Sequence, residues 1–178
     1  MAELSIVQLG APILRKKAKP VERIDAKSIQ QLIDDIMETI TSKAFAIAAP
    51  QVNQLLRLFV AGCKPTANYP DAPTRDLFAL INPVIETRSA QQEMGWEHCL
   101  SAPDTWCLVP RATAITMRYR TRQDEECIET FEGFFARILQ HEYDHLDGIM
   151  CQDRVGSPEH LLSTEKYQRL RASGELPR

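Results

Sequence analysis

The stretch ATAITMRYRTRQDEECIETFEGFFARILQHEYDHLDG, residues 112–148, decides the fold. In its first part Ala114, Thr116 and Arg118 alternate with Ile115, Met117 and Tyr119, the two-residue period of a half-buried strand. Cys127 to Phe131 pairs with that strand across the polar turn Thr121 to Glu125, which gives a hairpin. At Gly133 the period changes. Phe134, Phe135, Ile138, Leu139, Glu142, His145 and Leu146 share one broad face of a helix, and Gly148 suits the position just past its end. Strands that feed helices without regular strand–helix–strand alternation predict the α+β class, with mostly antiparallel sheet packed around this central helix.

The helix contains His141-Glu142-Tyr143-Asp144-His145. Histidines four apart lie on one helical face with Cβ atoms about 5–6 Å apart, close enough to share a metal ion. A metal such as zinc lowers the pKa of a bound water from about 15.7 towards 7, and the adjacent Glu142 can take its proton, so the motif encodes hydrolysis. Glu142 and His145 also fall on the apolar stripe, where an uncompensated carboxylate is expensive. A third ligand is required. Downstream, Asp147, Asp153, Glu159, Glu165 or His160 would make a zinc-peptidase-like site. Upstream, Cys99 leads among the thiols, because the run from Gly95 to Ser101 is polar and kinked, with Pro103 just beyond, more like a site loop than a core strand.

Outward from this centre, Ile29, Leu32, Ile33, Ile36, Met37 and Ile40 form the stripe of an N-terminal helix with Asp25 as N-cap. Thr41 to Gln51 reads as a loop ended by Pro50, and Leu56 to Val60 as a strand. Pro65, Pro70 and Pro73 mark a surface excursion. Leu77 to Asn82 and Val84 to Thr87 read as strands broken at Pro83, and Pro158 to Arg178 as a C-terminal helix that frays near Gly174. One domain over 1–178 is expected, with a core of about 5–155 and a helical tail over 156–178.

The 178 residues are 44% hydrophobic and 25% charged, which excludes a disordered chain, and the net charge of −3 argues against binding DNA by bulk charge. The N-terminus lacks the basic and apolar regions of a signal peptide, and the apolar runs are far short of a membrane span. Five cysteines at irregular spacings read as reduced thiols in a cytoplasmic protein.

Three stretches in order, Ala44-Phe45-Ala46-Ile47-Ala48-Ala49-Pro50-Gln51, Glu97-His98-Cys99-Leu100-Ser101 and Gln140-His141-Glu142-Tyr143-Asp144-His145, carry a resemblance. The chain resembles the peptide deformylase family, whose pattern is G-x-G-x-A-A-P-Q, E-G-C-L-S and Q-H-E-x-D-H. The likeness extends to Gly10-Ala11-Pro12, Ile81-Asn82-Pro83, Val109-Pro110-Arg111 and Leu146-Asp147-Gly148, roughly residues 5 to 155. It implies that Cys99, His141 and His145 bind one divalent metal ion, Fe2+ with Zn2+ or Ni2+ as substitutes, and that Glu142 shuttles the proton. The implied reaction removes the formyl group from N-formylmethionine of nascent polypeptides, with the Gln51 side chain and the Leu100 backbone N–H donating to the oxyanion. It further implies that the backbone near Phe45 and Ala46 pairs with the extended peptide. His98, Arg137 and Ile138 match positions of the methionine pocket or its rim. The tail, with Lys166, Arg169, Arg171 and Arg178, is a candidate for transient ribosome contact.

Glu97, Arg111 and Asp144 lie near the ligands in sequence and are candidates for fixing the imidazole tautomers, against a bland reading as surface ion pairs. Ala44, Ala46 and His98 stand where the pattern has glycine. If their φ angles are negative the loop bears the added Cβ atoms without strain; if positive, a catalytically weak or inactive paralogue that binds metal and peptide ends becomes the rival reading. A second rival is an HExxH metalloendopeptidase using a downstream acid.

Overall fold

The computed structural model describes residues 3–40, 44–66 and 69–177. Thr41 to Lys43 of the expected loop, Ala67 and Asn68 of the proline-rich excursion, and Arg178 of the tail lie outside the described residues. The elements run α1 (Lys27–Ile40), β1 (Ala46–Ala48), β2 (Leu58–Cys63), β3 (Arg75–Arg88), β4 (Gln92–Cys99), β5 (Ala102–Ala112), β6 (Ala114–Arg120), β7 (Glu126–Glu132), α2 (Gly133–Leu146), β8 (Leu161–Ser163) and α3 (Thr164–Ser173). One antiparallel sheet has the order β1-β2-β3-β6-β7 and a second the order β4-β5-β8. The α+β architecture expected from the sequence is present, with the helix of residues 133–146 at its centre.

Within the larger sheet β2 is covered on both faces, and all six of its residues are buried. Phe59 and Ala61 point into one core with Phe135, Ala136 and Leu139 of α2. Leu58 and Val60 point into another with Ile33, Ile36 and Ile40 of α1. Each such aliphatic side chain contributes about 1.5–3 kcal/mol on full burial, so the two helices clamp the sheet from opposite sides. The 112–119 alternation is realised in β6, where Ile115, Met117 and Tyr119 are buried beneath α2. It pairs with β7 in the expected hairpin.

Several expectations need correction. Helix α1 begins at Lys27 and its first turn closes on Ala26 O, so Ala26 and not Asp25 holds the cap position, and the exposed Asp25 carboxylate meets the Arg23 Nη2 at 3.5 Å. Pro83 does not break the strand: β3 is continuous, and the register shifts between Ile81 and Val84 absorb the missing N–H. There Asn82 takes φ 50°, and its side chain accepts from Val21 N and donates to Val21 O. The run before Cys99 is strand β4, paired with β5 from Gln92 to His98, and not an open loop. The tail is α-helical only over Thr164–Ser173, with a short 3-10 turn at Pro158–His160, and Leu161 and Leu162 belong to β8.

Helix α2 ends as its glycine predicts. Gly148 sits at φ 74°, its N–H donating to His145 O and the Ile149 N–H to Asp144 O, a Schellman motif. An added Cβ there would lie 2.8 Å from the Arg15 backbone, because residues 15–18 cross the helix end and Ala18 N–H satisfies Leu146 O.

Candidate active site

Strand β4 ends at Cys99 and turns back through Leu100 and Ser101 into β5, which presents the thiol towards α2. Two successive turns of α2 present His141 and His145 to the same point. Cys99 Sγ is 3.3 Å from His145 Nε2, and one donor atom from each of the three residues lies within 4.8 Å of the other two. The imidazole rings stand 4.9 Å apart at 80°. Asp147 pairs instead with Arg57 at 2.7 Å, and Asp153 pairs with Arg15. No downstream acid joins the cluster among the described residues.

The charges around the cluster are tightly matched. Burial works to raise the Cys99 thiol, but His145 and His141 outweigh it and hold the thiol well below its usual range. Burial likewise works to lower His141, and the hydrogen bonds and charges of Cys99 and Glu97 hold it well above the ordinary imidazole value. Glu142 is raised by burial, opposed by the two histidines, and its Oε2 is buried without a partner. A buried thiolate, two imidazoles and an unspent carboxylate suit a divalent ion and a water: thiolate and imidazole are ligands of borderline-soft metals, and the ion would compensate the thiolate.

Glu97, Arg111 and Asp144 form a buried network rather than surface pairs. Arg111 donates from Nε and Nη2 to the two Glu97 oxygens, each at 2.9 Å, and from Nη1 to Asp144 Oδ2 at 2.5 Å. Glu97 Oε2 accepts from His141 Nδ1 at 2.9 Å, which leaves Nε2 of that ring for the ligand cluster. Burial works against the Glu97 anion, yet Arg111 and His141 hold its carboxyl far below the usual carboxylate range. Arg137 and Arg154 complete the network, and both were absent from the sequence-based candidates for it: Arg137 Nη1 meets Glu97 at 3.0 Å, and Arg154 Nη2 meets Asp144 at 2.6 Å. An arginine one turn before His141, on the same side of the helix, was the available signal for the first; no pattern marks the second.

A cavity of about 770 Å³ opens onto the cluster. Phe45, Ala46, Gln51, Glu97, His98, Cys99, Leu100, Arg137, Ile138, His141 and Glu142 all line it, whereas His145, Arg111 and Asp144 lie behind. Gln51 is fixed by Ala48 N–H donating to its Oε1 at 2.8 Å, which turns its Nε2 towards Cys99 Sγ at 3.5 Å and Ser101 Oγ at 3.3 Å. His98 does not join the Cys99, His141 and His145 cluster: its Nε2 donates to Pro103 O at 2.8 Å and its ring lies 5.1 Å from that of Trp106. Trp106 in turn stacks on Tyr167 of α3 at 3.7 Å, so it both packs and walls the cavity. Among the described residues positive φ outside glycine occurs at Asn53, Asn82 and Asp124. Ala44, Ala46 and His98 are therefore unstrained, which removes the loop-strain ground for a weakened paralogue.

Comparison with known proteins gives one consistent answer. A family model described as polypeptide deformylase matches residues 3–160. Peptide deformylase 2 of Nostoc sp. is 46% identical over 168 residues, 94% of each chain. Peptide deformylase 2 of Bordetella bronchiseptica is 40% identical over 152 residues, covering 85% of this chain and 86% of its own. Among solved structures, a class I type b peptide deformylase from Acinetobacter baumannii bound to Met-Ala-Ser superposes with a TM-score of 0.84 at 36% identity, over 86% of this chain and 99% of that one. The peptide deformylase of Thermotoga maritima gives 0.78 at 32% identity, over 88% of this chain and all of that one.

Proposed function

Because the chain belongs to the peptide deformylase family, we propose that this metal-dependent hydrolase removes the N-formyl group from nascent N-formylmethionyl polypeptides with Cys99, His141 and His145 as its metal ligands and Glu142 as its proton carrier. The observation that carries the assignment is the convergence of three ligand atoms within 4.8 Å beside a buried carboxylate oxygen with no partner. A bound divalent ion supplies Lewis-acid polarisation of the formyl oxygen and acidifies water. Glu142 takes a proton from the attacking water as its oxygen bonds to the formyl carbon. As the C–N bond breaks, Glu142 returns that proton to the leaving amine, and formate departs. Burial raises the Glu142 pKa and so makes it a better base once ionised. Gln51 Nε2, already oriented by Ala48, and the Leu100 N–H donate to the developing oxyanion.

Strand β1 is an edge of the larger sheet, and its backbone at Ala46, with that of Phe45 just before it, is the surface on which an extended peptide adds as a further strand. Ile138 faces the methionine thioether and His98 the rim. Ferrous iron is the metal proposed, with zinc or nickel as substitutes. The five unpaired cysteines favour the reducing cytoplasm, and among the described residues no helix is long and apolar enough to cross a membrane. Lys166 and Arg169, exposed on α3, are the proposed ribosome contacts.

The test separates binding from chemistry. Glu142→Gln retains stoichiometric metal by elemental analysis and loses about 10²–10⁴-fold in formate release. Cys99→Ala loses the metal. A Glu142→Gln protein with undiminished turnover, or a Cys99→Ala protein with full metal occupancy, overturns these roles.

A further inference from the structure

Outside the ligand cluster, two of the free cysteines meet. Cys107 lies on β5, the middle strand of the smaller sheet, and Cys151 opens the 3-10 turn Cys151–Arg154 that follows α2. The Cys107 thiol donates to Cys151 Sγ at 3.2 Å, and the Cys151 thiol to Gln152 Oε1 at 3.5 Å. Both side chains are buried with Leu14, Ala102, Val109 and Met150, in the core that also holds Cys99. Cys63 and Cys127 belong to a different core. A disulfide bond is about 2.05 Å long, so the pair has only about 1.2 Å to close.

The two cysteines sit on unequally anchored chain. Strand β5 is paired on both sides, with Cys107 opposite Glu97 of β4 and Leu161 of β8. The chain leaving α2 is tied by side chains, among them the solvent-exposed pair of Arg15 with Asp153, and exposed ion pairs hold little. Between Cys107 and Cys151, 44 positions apart, run the β6–β7 hairpin and all of α2 with His141 and His145. We propose that Cys107 and Cys151 are a reversible dithiol that a hydroperoxide converts to a disulfide, stapling the chain that leaves α2 to β5. The Cys151 sulfur, as thiolate, attacks one peroxide oxygen; the O–O bond breaks, leaving a sulfenic acid and, with the thiol proton, one water. The Cys107 sulfur then attacks the Cys151 sulfur, the S–S bond forms, and the sulfenic hydroxyl leaves with the second thiol proton as another water. Two thiols and one hydrogen peroxide thus give one disulfide and two waters. Cys151 reacts first because Asp153 and Arg154 in its turn are exposed, whereas Cys107 is flanked by buried Trp106 and Leu108. The hydrogen bond to Cys107 and burial hold the Cys151 thiol far above its usual range, so the first step waits on opening of the turn and is slow. The proposal is independent of the reaction the enzyme catalyses.

The experiment exposes nickel-loaded protein, wild type and Cys107→Ala, to hydrogen peroxide overnight, then alkylates, digests and maps the cysteines by mass spectrometry. Wild type yields a peptide cross-linked between Cys107 and Cys151, and the variant does not. Peroxide raises the Tm of wild type by about 5–10 °C relative to its effect on the variant, the scale of closing a loop of this length in a domain of this size. A phosphine reductant reverses both changes. Cys107 and Cys151 recovered as free thiols beside an oxidised Cys127, or a cross-link that runs to Cys99 instead, overturns the proposal. The expected cross-link without a gain in Tm overturns the staple. If Cys107→Ala does not yield folded protein, Cys151→Ala serves as the control under the same criteria.

Discussion

Replacing Arg111 with leucine removes the centre of the buried ion network. Its side chain is 5% exposed, as is that of Glu97, with Asp144 at 7%, so solvent screens none of these contacts appreciably. Breaking a buried pair by deleting one partner costs about 3–5 kcal/mol, because the charge left behind is uncompensated. Here Glu97 keeps Arg137 and His141, and Asp144 keeps Arg154, so the low end, about 3 kcal/mol, is expected. For a domain of this size each kcal/mol moves Tm by about 2–4 °C, which gives a fall of about 6–12 °C in calorimetry. The loss also depends on pH. Glu97 is held below its unfolded pKa, so its stabilisation is complete above about pH 4.3 and is lost as pH falls. Without Arg111 that depression shrinks and the variant has less to lose. The stability gap between wild type and variant, measured by urea unfolding, therefore stays level from pH 6 to 8 and narrows below about pH 4. Metal affinity falls by up to about tenfold as His141 loses part of its orientation. A stability loss under about 1 kcal/mol, or a gap indifferent to acid, would refute the reasoning.

Three other variants probe the frame. Gly148→Ala places a Cβ 2.8 Å from the Arg15 backbone at φ 74°, and a Tm drop of at least about 4 °C is expected. Ala44→Gly with Ala46→Gly restores the family pattern; with no positive φ at either residue, formyl-Met-Ala-Ser turnover stays within about threefold while chemical denaturation shows a loss of about 0.5–1 kcal/mol per site. Tyr167→Ala uncovers Trp106, costing about 3 kcal/mol and red-shifting the tryptophan fluorescence; an unshifted spectrum would mean the stack is not kept in solution.

The sequence announced those elements whose burial follows one period. The stripe from Ile29 to Ile40 and the alternation from Ala114 to Tyr119 each face a single core, and both elements are where the pattern puts them. Strand β4 was illegible because it is an edge strand whose inward position 97 is a glutamate, neutralised by arginines on β5 and α2 that no local pattern connects. Strand β5 has an unbroken buried run from Trp106 to Val109 instead of an alternation, since material covers both its faces. Residues 161–163 look helical by composition, but β5 offers them an open edge, and pairing with Thr105 to Cys107 decides their state. At the site, the two histidines were legible from spacing alone. Cys99 required either the family pattern or the fold, because the turn that carries the thiol to the helix depends on the β4–β5 register.

The most direct measurement is formate release from formyl-Met-Ala-Ser by protein prepared anaerobically with ferrous iron, beside a Glu142→Ala control. The account predicts robust release by the wild-type protein that disappears in the control while the metal stays bound. Folded, metal-loaded protein that releases no formate, or that instead cleaves internal peptide bonds, would contradict it.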